Sequence, residues 1–239
     1  MNKKQNSKKA WMLIAVILSL AVMGRAAEEK DRADKPGKAA GGLSQKFLDA
    51  RAAALKDLKG EAEVVFMGDS ITAGWNRNGV IGVPGYATTH LVDYTAHGGL
   101  AGLHPKAAVI LIGVNDTNGL KETADEIVGN IKKIVGNLRG QFPNLKIIIT
   151  AIFPRGPQAE RKETWEDKGS KRMAIITAAN KEIVKLDDGN TIRVLDLTEK
   201  FLVNGRPTTE LQGDLLHLTP KGYQVWADGL TPLLAVVLK

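Results

Sequence analysis

Four short segments read as strands because they are rich in large aliphatic residues, and each is followed by residues that favour a turn or a helix. They span residues 64–67, 107–112, 145–152 and 192–197. The segment 145–152 is almost wholly apolar, which is typical of a parallel strand that is covered on both faces. Strands that alternate with helices favour a parallel sheet with right-handed crossovers and helices on both sides. The sequence therefore predicts an α/β fold, a three-layer α/β/α sandwich.

The first apolar segment ends in Gly68-Asp69-Ser70, which places a hydroxyl at the carboxyl edge of the predicted sheet. Open α/β sheets bind their ligands at that edge. A helix that starts beside the serine would favour a developing negative charge through its unpaired N–H groups. Ser70 is therefore a candidate nucleophile, although Asp and Ser are also common capping and turn residues.

Two later segments could supply the partners that a serine nucleophile needs. Asp214 stands three residues before His217, near the C-terminal end. A serine hydroxyl needs a base to take its proton, and the base needs an acceptor that fixes its tautomer. Asn115, just after the second apolar segment, could donate to an oxyanion. The alternative for Asn115 is a turn residue, since Asn-Asp after a strand is good turn chemistry.

Together these segments resemble the four sequence blocks of the SGNH (GDSL-type) hydrolase family. The blocks are Gly68-Asp69-Ser70, Gly82-x-x-Gly85, Gly113-x-Asn115-Asp116 and Asp214-x-x-His217. The resemblance runs from about residue 43 to the end of the chain. It is strongest to platelet-activating-factor acetylhydrolase-like and carbohydrate acetylesterase-like members, and it implies a flavodoxin-like parallel sheet, the SGNH hydrolase fold.

The resemblance implies an esterase that uses a serine nucleophile and no cofactor. Carried over to this sequence, Ser70 is the nucleophile, His217 the base and Asp214 the residue that orients the base. The oxyanion hole would consist of the N–H groups of Ser70 and Gly85 and the side chain of Asn115. The expected substrates are short acyl esters, above all acetyl esters of carbohydrates, with lysophospholipids or other lipid esters as the alternative.

Other polar residues near these blocks are less specific. Asp69 and Arg155 are possible substrate contacts, and bracing of the loops is the alternative for each. His90, His97 and His104 are seven residues apart, a spacing that does not match a zinc site. No metal is therefore expected.

The second block departs from the spacing of the resembling family. Only 14 residues separate Ser70 from Gly85, where family members usually have a full helix and a further strand. A parallel crossover normally takes about a dozen residues or more, so the helix or the strand must be clipped. The shortening could open the acyl pocket, or it could misplace the Gly85 N–H. In the second case the protein would be a non-catalytic binding protein of the same fold.

The first 26 residues have the features of an export signal. Four lysines precede a 14-residue apolar run, and small residues flank a cleavage position after Ala26. The run is short for a membrane span, so no stable membrane insertion is expected after cleavage, with an uncleaved anchor as the alternative. Residues 27–42 are polar and form a predicted flexible linker, and residues 43–239 form the hydrolase domain. We expect a periplasmic or extracellular protein.

Composition excludes other classes of protein. Removing the five basic residues of the leader from 33 basic and 26 acidic residues leaves a net charge of +2. No basic stripe with interleaved aromatic residues remains, so no nucleic-acid partner is expected. The absence of cysteine excludes disulfides and a thiol nucleophile. The expected partner is a small-molecule or carbohydrate ester, and the oligomeric state stays open.

Overall fold

The structure, a computed structural model, describes residues 62–75 and 79–239 together with positions 45, 48, 49, 51 and 52. The predicted signal segment and linker lie outside the described residues, so export stays a prediction. Among the helices of the described part, none is long and apolar enough to cross a membrane.

Five parallel strands form the central sheet. They are β1 (Val64–Gly68), β2 (Val80–Gly82), β3 (Ala107–Leu111), β4 (Lys146–Thr150) and β5 (Ile192–Leu195). Their spatial order is β2-β1-β3-β4-β5, and every neighbouring pair is parallel. This is the flavodoxin-like order, in which ligands bind where the connections change direction between β1 and β3. The predicted α/β/α fold is therefore confirmed.

The described residues form five α-helices between and after these strands. They are α1 (Ser70–Ala73), α2 (Thr88–Ala96), α3 (Ala124–Gln141), α4 (Ser170–Ile183) and α5 (Pro220–Val237). Capping side chains fix the starts of two of these helices. Thr123 and Glu126 form the capping box of α3, and the Thr219 hydroxyl caps α5 by accepting from Gly222 N–H at 3.2 Å.

The central strands form the core of the protein. All five residues of β3 are at most 2% exposed, and β1 and β4 are buried over their last four residues. Burying one large aliphatic side chain stabilises the fold by about 1.5–3 kcal/mol relative to leaving it exposed. The sheet is therefore a stable support, and the loops beyond its carboxyl edge are built on fixed strand ends.

The connection between β1 and β2 is short. Both the helix in it and the strand β2 that follows have few residues. The helix α1 has four residues and the strand β2 has three. The strand still pairs in register with β1, with Gly68 opposite Gly82. The sequence predicted that the helix or the strand would be shortened, and the structure shows that both are.

Candidate active site

Ser70 is the first residue of α1 and lies directly beyond the end of β1. Asp69 caps this helix, because its Oδ1 accepts from Ile71 N–H at 2.9 Å. A side chain at Gly68 would not fit, since a Cβ there would lie 2.1 Å from the Leu111 carbonyl oxygen. The chain thus turns from strand to helix within two residues, and the Ser70 hydroxyl lies at the carboxyl edge of the sheet.

The Ser70 hydroxyl is hydrogen-bonded to His217, with 2.9 Å between Oγ and Nε2. The other ring nitrogen, Nδ1, lies 2.7 Å from Asp214 Oδ2. An ionised carboxylate can only accept, so Nδ1 carries the proton and Nε2 is left to accept from the serine. The side chains of His217 and Asp214 are 48% and 42% exposed. The structure thus brings together Ser70 and His217, which are 147 residues apart, in a position open to a substrate.

Asp214 and His217 shift each other's pKa. Burial raises the pKa of Asp214, but hydrogen bonds from the His217 ring, the His217 N–H and the Leu216 N–H outweigh it and hold the pKa at about 2. The hydrogen bond to Asp214 raises the pKa of His217, against the effect of partial burial. The pair therefore stabilises the imidazolium, the state that His217 reaches when it takes up a proton.

Gly85 lies in a tight turn beyond β2. Tyr86 N–H donates to Val83 O at 3.1 Å, and Gly85 has a φ of +81°, the left-handed value that this turn needs at its third position. The Asn115 side chain, which follows β3, donates through Nδ2 to Tyr86 O at 3.0 Å. Among residues 62–75 and 79–239, no protein acceptor takes the backbone N–H of Ser70 or of Gly85. Both N–H groups are therefore available as donors, and the Asn115 amide is hydrogen-bonded to the residue that follows Gly85.

Asp116 joins the loop after β3 to the start of α2. Its carboxylate accepts from Thr88 N–H at 3.2 and 3.0 Å and also from the Thr88 hydroxyl. Asp116 is 2% exposed, and burial raises its pKa. This carboxylate therefore holds the loop after β3 against the start of α2.

Asp69 and Arg155 were predicted as possible substrate contacts, but both side chains are buried. They are 0% and 1% exposed. Burial raises the pKa of Asp69 to about 7, against the lowering effect of the Ile71 N–H. Burial also lowers the pKa of Arg155 to about 10, and Arg155 Nη1 donates to Val114 O at 3.2 Å. Since neither side chain reaches the surface, the prediction of a substrate contact is corrected to a bracing role.

Two glutamines brace the loop before α5, and the sequence analysis missed both. Gln212 is fully buried and donates to Pro154 O at 2.6 Å and to Leu216 O at 3.1 Å. Gln158 donates through Nε2 to Asp214 O at 3.2 Å. A glutamine in a loop belongs to no motif, so only the folded chain identifies these contacts.

A buried ion pair also supports the loop before α5, because it holds Gln158 in place. Arg172 is 0% exposed, and its Nη2 donates to Glu163 Oε1 at 2.7 Å. The hydrogen bonds from Arg172 lower the pKa of Glu163 to about 2, against the effect of partial burial. Glu163 Oε2 accepts from Gln158 N–H at 2.8 Å. The pair therefore fixes Gln158, which in turn donates to the backbone of Asp214.

In the part of the chain that the structure describes, no group of three or more His, Cys, Asp or Glu side chains could hold a metal ion. His90 caps α2, because its Nδ1 accepts from Ala87 N–H at 3.1 Å, and its ring stacks on Tyr86 at 4.7 Å. His97 contacts Asp93 one helical turn away. These two histidines have local structural contacts.

Comparison with known proteins identifies related chains. A sequence model of the GDSL-like lipase/acylhydrolase family matches residues 76–225. Platelet-activating factor acetylhydrolase IB subunit alpha2 of Rattus norvegicus is 27% identical over 192 residues, covering 75% of this chain and 79% of the relative.

Solved structures with the same fold include two hydrolases. A GDSL-like lipase from Bacteroides thetaiotaomicron is 22% identical, with a TM-score of 0.61 over 80% of this chain and 98% of the other. A carbohydrate esterase family 3 protein from Talaromyces cellulolyticus is 20% identical, with a TM-score of 0.54 over 74% of this chain and 98% of the other. At these identities the likeness establishes the fold.

The matched range includes four of the five site residues named above. Gly85, Asn115, Asp214 and His217 lie within residues 76–225, and Ser70 lies six residues before the start of that range. The place of Ser70 in the site therefore follows from its contact with His217 and not from the match itself.

Proposed function

Because this chain belongs to the GDSL-like lipase/acylhydrolase family and is a carboxylic ester hydrolase, we propose that it cleaves short acyl esters with Ser70 as the nucleophile. One observation supports this most directly: the hydrogen-bonded series from Ser70 Oγ to His217 and on to Asp214, at 2.9 and 2.7 Å. A hydroxyl, a base and an orienting carboxylate in this arrangement are the components of acyl transfer through serine.

In the first half of the reaction, Ser70 Oγ attacks the carbonyl carbon of the ester. His217 Nε2 takes the serine proton as the new C–O bond forms, and Asp214 stabilises the resulting imidazolium. The protonated His217 then gives this proton to the departing alcohol oxygen. The acyl group remains on Ser70 as an ester.

The negative charge that develops on the carbonyl oxygen needs preorganised donors. We assign this role to the N–H groups of Ser70 and Gly85 and to Asn115 Nδ2. One N–H of the Asn115 amide donates to Tyr86 O, which holds the amide in place and leaves its second N–H for the oxyanion. Removing one such donor typically costs about 10²–10³ in rate.

In the second half, a water molecule attacks the acyl carbon. His217 takes a proton from this water and returns it to Ser70 Oγ as the acid leaves. No redox step and no metal-bound water are required, because the nucleophile, the base and the oxyanion donors all belong to the protein.

The substrate class is proposed on three grounds. The rat relative is named an acetylhydrolase, which supports an acetyl group. A carbohydrate esterase shares the fold, and predicted export would bring the protein to extracytoplasmic carbohydrate. A Cβ at Gly85 would meet nothing within 4 Å. This supports the interpretation that the shortened connection between β1 and β2 opens the pocket for the acyl group. Lipid esters are the alternative substrate, since the name of the rat relative refers to platelet-activating factor.

Hydrolysis of p-nitrophenyl acetate, butyrate and octanoate, compared with acetylated oligosaccharides and a lysophospholipid, would test this proposal. Ser70→Ala should abolish turnover, and Ser170→Ala, at the start of α4, should leave it unchanged. Preference for acetyl esters of sugars would support the carbohydrate substrate, and preference for octanoate would favour the lipid ester. A folded wild-type protein with no more turnover than Ser70→Ala would contradict the proposal and favour a binding protein.

The same proposal places the mature protein outside the cytoplasm. Expression of the full chain in a bacterial host, followed by N-terminal sequencing of the exported product, should give Ala27 as the first residue. A product that begins at Met1 and stays with the membrane fraction would support the uncleaved anchor instead.

A further inference from the structure

The helix that begins at Ser70 is too short to satisfy its own carbonyl groups. In a longer helix, the N–H of Trp75 would bond to Ile71 O, four residues earlier. Here the Trp75 N–H bonds to Thr72 O at 3.1 Å instead. The Ile71 carbonyl therefore takes a partner from outside the helix, as the last carbonyls of helices generally must.

That partner is Tyr223, in the first turn of α5. Its hydroxyl donates to Ile71 O at 2.7 Å. Ile71 directly follows Ser70, and Tyr223 stands six residues after His217. This one hydrogen bond thus joins the two segments that bear the Ser70–His217 contact. Burial raises the pKa of Tyr223 well above its ordinary value, so the hydroxyl keeps its proton and stays a donor at neutral pH.

Aromatic packing fixes the ring of Tyr223. The Trp75 ring meets it edge-on, with 5.4 Å between centroids, and lies 5.0 Å from the ring of Trp226. Trp226 is fully buried, and its Nε1 donates to Thr150 Oγ1 at 3.0 Å, at the end of β4. Gly74 leaves room for the hydroxyl, because a Cβ there would lie 1.9 Å from it. The hydroxyl is therefore held at the Ile71 carbonyl from several sides.

We propose that Tyr223 is a positioning residue that sets the distance between Ser70 and His217. The proposal rests on the function proposed above, in which these two residues exchange a proton. The one-turn helix α1 cannot fix its own direction, since its end lacks the further turns that a longer connection would supply. The hydrogen bond from Tyr223 replaces them and holds α1 against the start of α5.

Tyr223→Phe tests this with the smallest possible change, because the ring and its packing stay. We expect kcat for p-nitrophenyl acetate to fall about 10-fold to 100-fold, since a shift of about 1 Å in reacting groups costs up to about 10² in rate. KM should change less than about twofold, a small change next to the loss in kcat. Tyr94→Phe is the matched control, because the Tyr94 hydroxyl also donates to a backbone carbonyl, that of Gly99, but at the end of α2.

Equal effects of the two Tyr→Phe changes on kcat, or an effect of Tyr223→Phe on thermal stability alone, would overturn the proposal. Gly74→Ala perturbs the same contact from the other side, as its Cβ would displace the Tyr223 hydroxyl. Gly74 has a φ of −64° that alanine adopts without strain. The fold-loss of kcat in the double variant should be smaller than the product of the two single fold-losses, because both changes remove the same contact. Fully multiplicative losses would also overturn it.

A second readout separates this proposal from the proposed function. Crystal structures of the wild type and Tyr223→Phe should show the Ser70 Oγ–His217 Nε2 distance increased from 2.9 Å in the variant. A wild-type protein without esterase activity would contradict the proposed function and leave this structural comparison to decide the positioning role. An unchanged distance would refute the role of Tyr223.

Discussion

Replacing Asp214 by asparagine should inactivate the enzyme by fixing the wrong tautomer of His217. Asp214 Oδ1 accepts two backbone hydrogen bonds, from His217 N–H at 2.6 Å and Leu216 N–H at 3.0 Å, and Oδ2 accepts one from the ring at 2.7 Å. The amide oxygen of asparagine satisfies the two backbone donors only if it takes the place of Oδ1. The NH₂ group then faces His217 Nδ1.

The two orientations of the asparagine amide differ in the hydrogen bonds that they keep. The orientation with oxygen toward the backbone keeps two hydrogen bonds, each with a net value of about 0.5–1.5 kcal/mol. The reverse orientation keeps one and sets the NH₂ group against two N–H donors. In the favoured orientation Nδ1 must accept, so the proton moves to Nε2, which then faces Ser70 Oγ. His217 can no longer take the serine proton, and kcat should fall about 10³–10⁴-fold.

The assay is the pH dependence of kcat/KM for p-nitrophenyl acetate. In the wild type, the hydrogen bond to Asp214 raises the pKa of His217, so activity should rise with pH through a midpoint above the ordinary histidine value. In Asp214→Asn the raising effect is lost, and any residual activity should have its midpoint at lower pH. Nitrogen-15 NMR of the ring should show Nδ1–H in the wild type and Nε2–H in the variant. A variant within 10-fold of the wild type, or one that keeps Nδ1–H, would refute this reasoning.

Three further changes test the support of the site. Glu163→Gln leaves the buried Arg172 without its carboxylate, so the free energy of unfolding should fall by about 3–5 kcal/mol in urea titrations at pH 7. Because Glu163 has a pKa of about 2 in the folded protein against 4.5 ordinarily, the difference should shrink as the pH falls from about 4 toward 2, and a constant difference would argue against the ion pair. Gly82→Ala puts a Cβ 2.1 Å from the backbone nitrogen of Ala73. The free energy of unfolding should fall by about 1–3 kcal/mol in thermal unfolding, and kcat should fall as well. An unaffected kcat would contradict the packing of α1 on β2. Gly136→Ala, on the exposed face of α3 with nothing within 4 Å, should stabilise by about 0.5–1 kcal/mol with unchanged kcat, and destabilisation would contradict its exposure.

The elements predicted correctly from sequence are those with strong local signals. The strand β3 is apolar throughout because both of its faces are covered, so the segment 107–112 identified it without any tertiary information. The carboxyl ends of parallel strands meet at one edge. The order of the blocks in the chain therefore implied that Ser70 and Asn115 would lie near each other.

Other features of the site have no local signal. The strand β2 and the hairpin formed by β6 (Leu202–Val203) and β7 (Arg206–Pro207) have two or three residues each, too few to show a period. The turn before His217 contains Leu215 with a φ of +62°. A leucine rarely adopts this left-handed conformation, so its presence in the sequence does not predict the turn. Its carbonyl accepts from Gly156 N–H at 2.8 Å, a contact that forms only in the folded chain.

Burial explains the error for Asp69 and Arg155. Charged residues beside a predicted site are reasonable candidates for substrate contact, because charged side chains are rarely buried unless they are paired. Here Asp69 caps the helix that begins at Ser70, and Arg155 donates to a loop carbonyl. Both side chains are buried because the loops around them pack closely, and the spacing of residues along the chain does not reveal that packing.

If Ser70 is the nucleophile and His217 activates it, an organophosphate should react with Ser70 alone. Diethyl p-nitrophenyl phosphate reacts with an activated serine to leave one diethylphosphoryl group on the hydroxyl, and mass spectrometry of proteolytic peptides identifies the residue modified. We expect a single modification, on the peptide that contains Ser70, formed at least about 10²-fold more slowly in His217→Ala. Modification of another residue, or an unchanged rate on Ser70 without His217, would contradict the account.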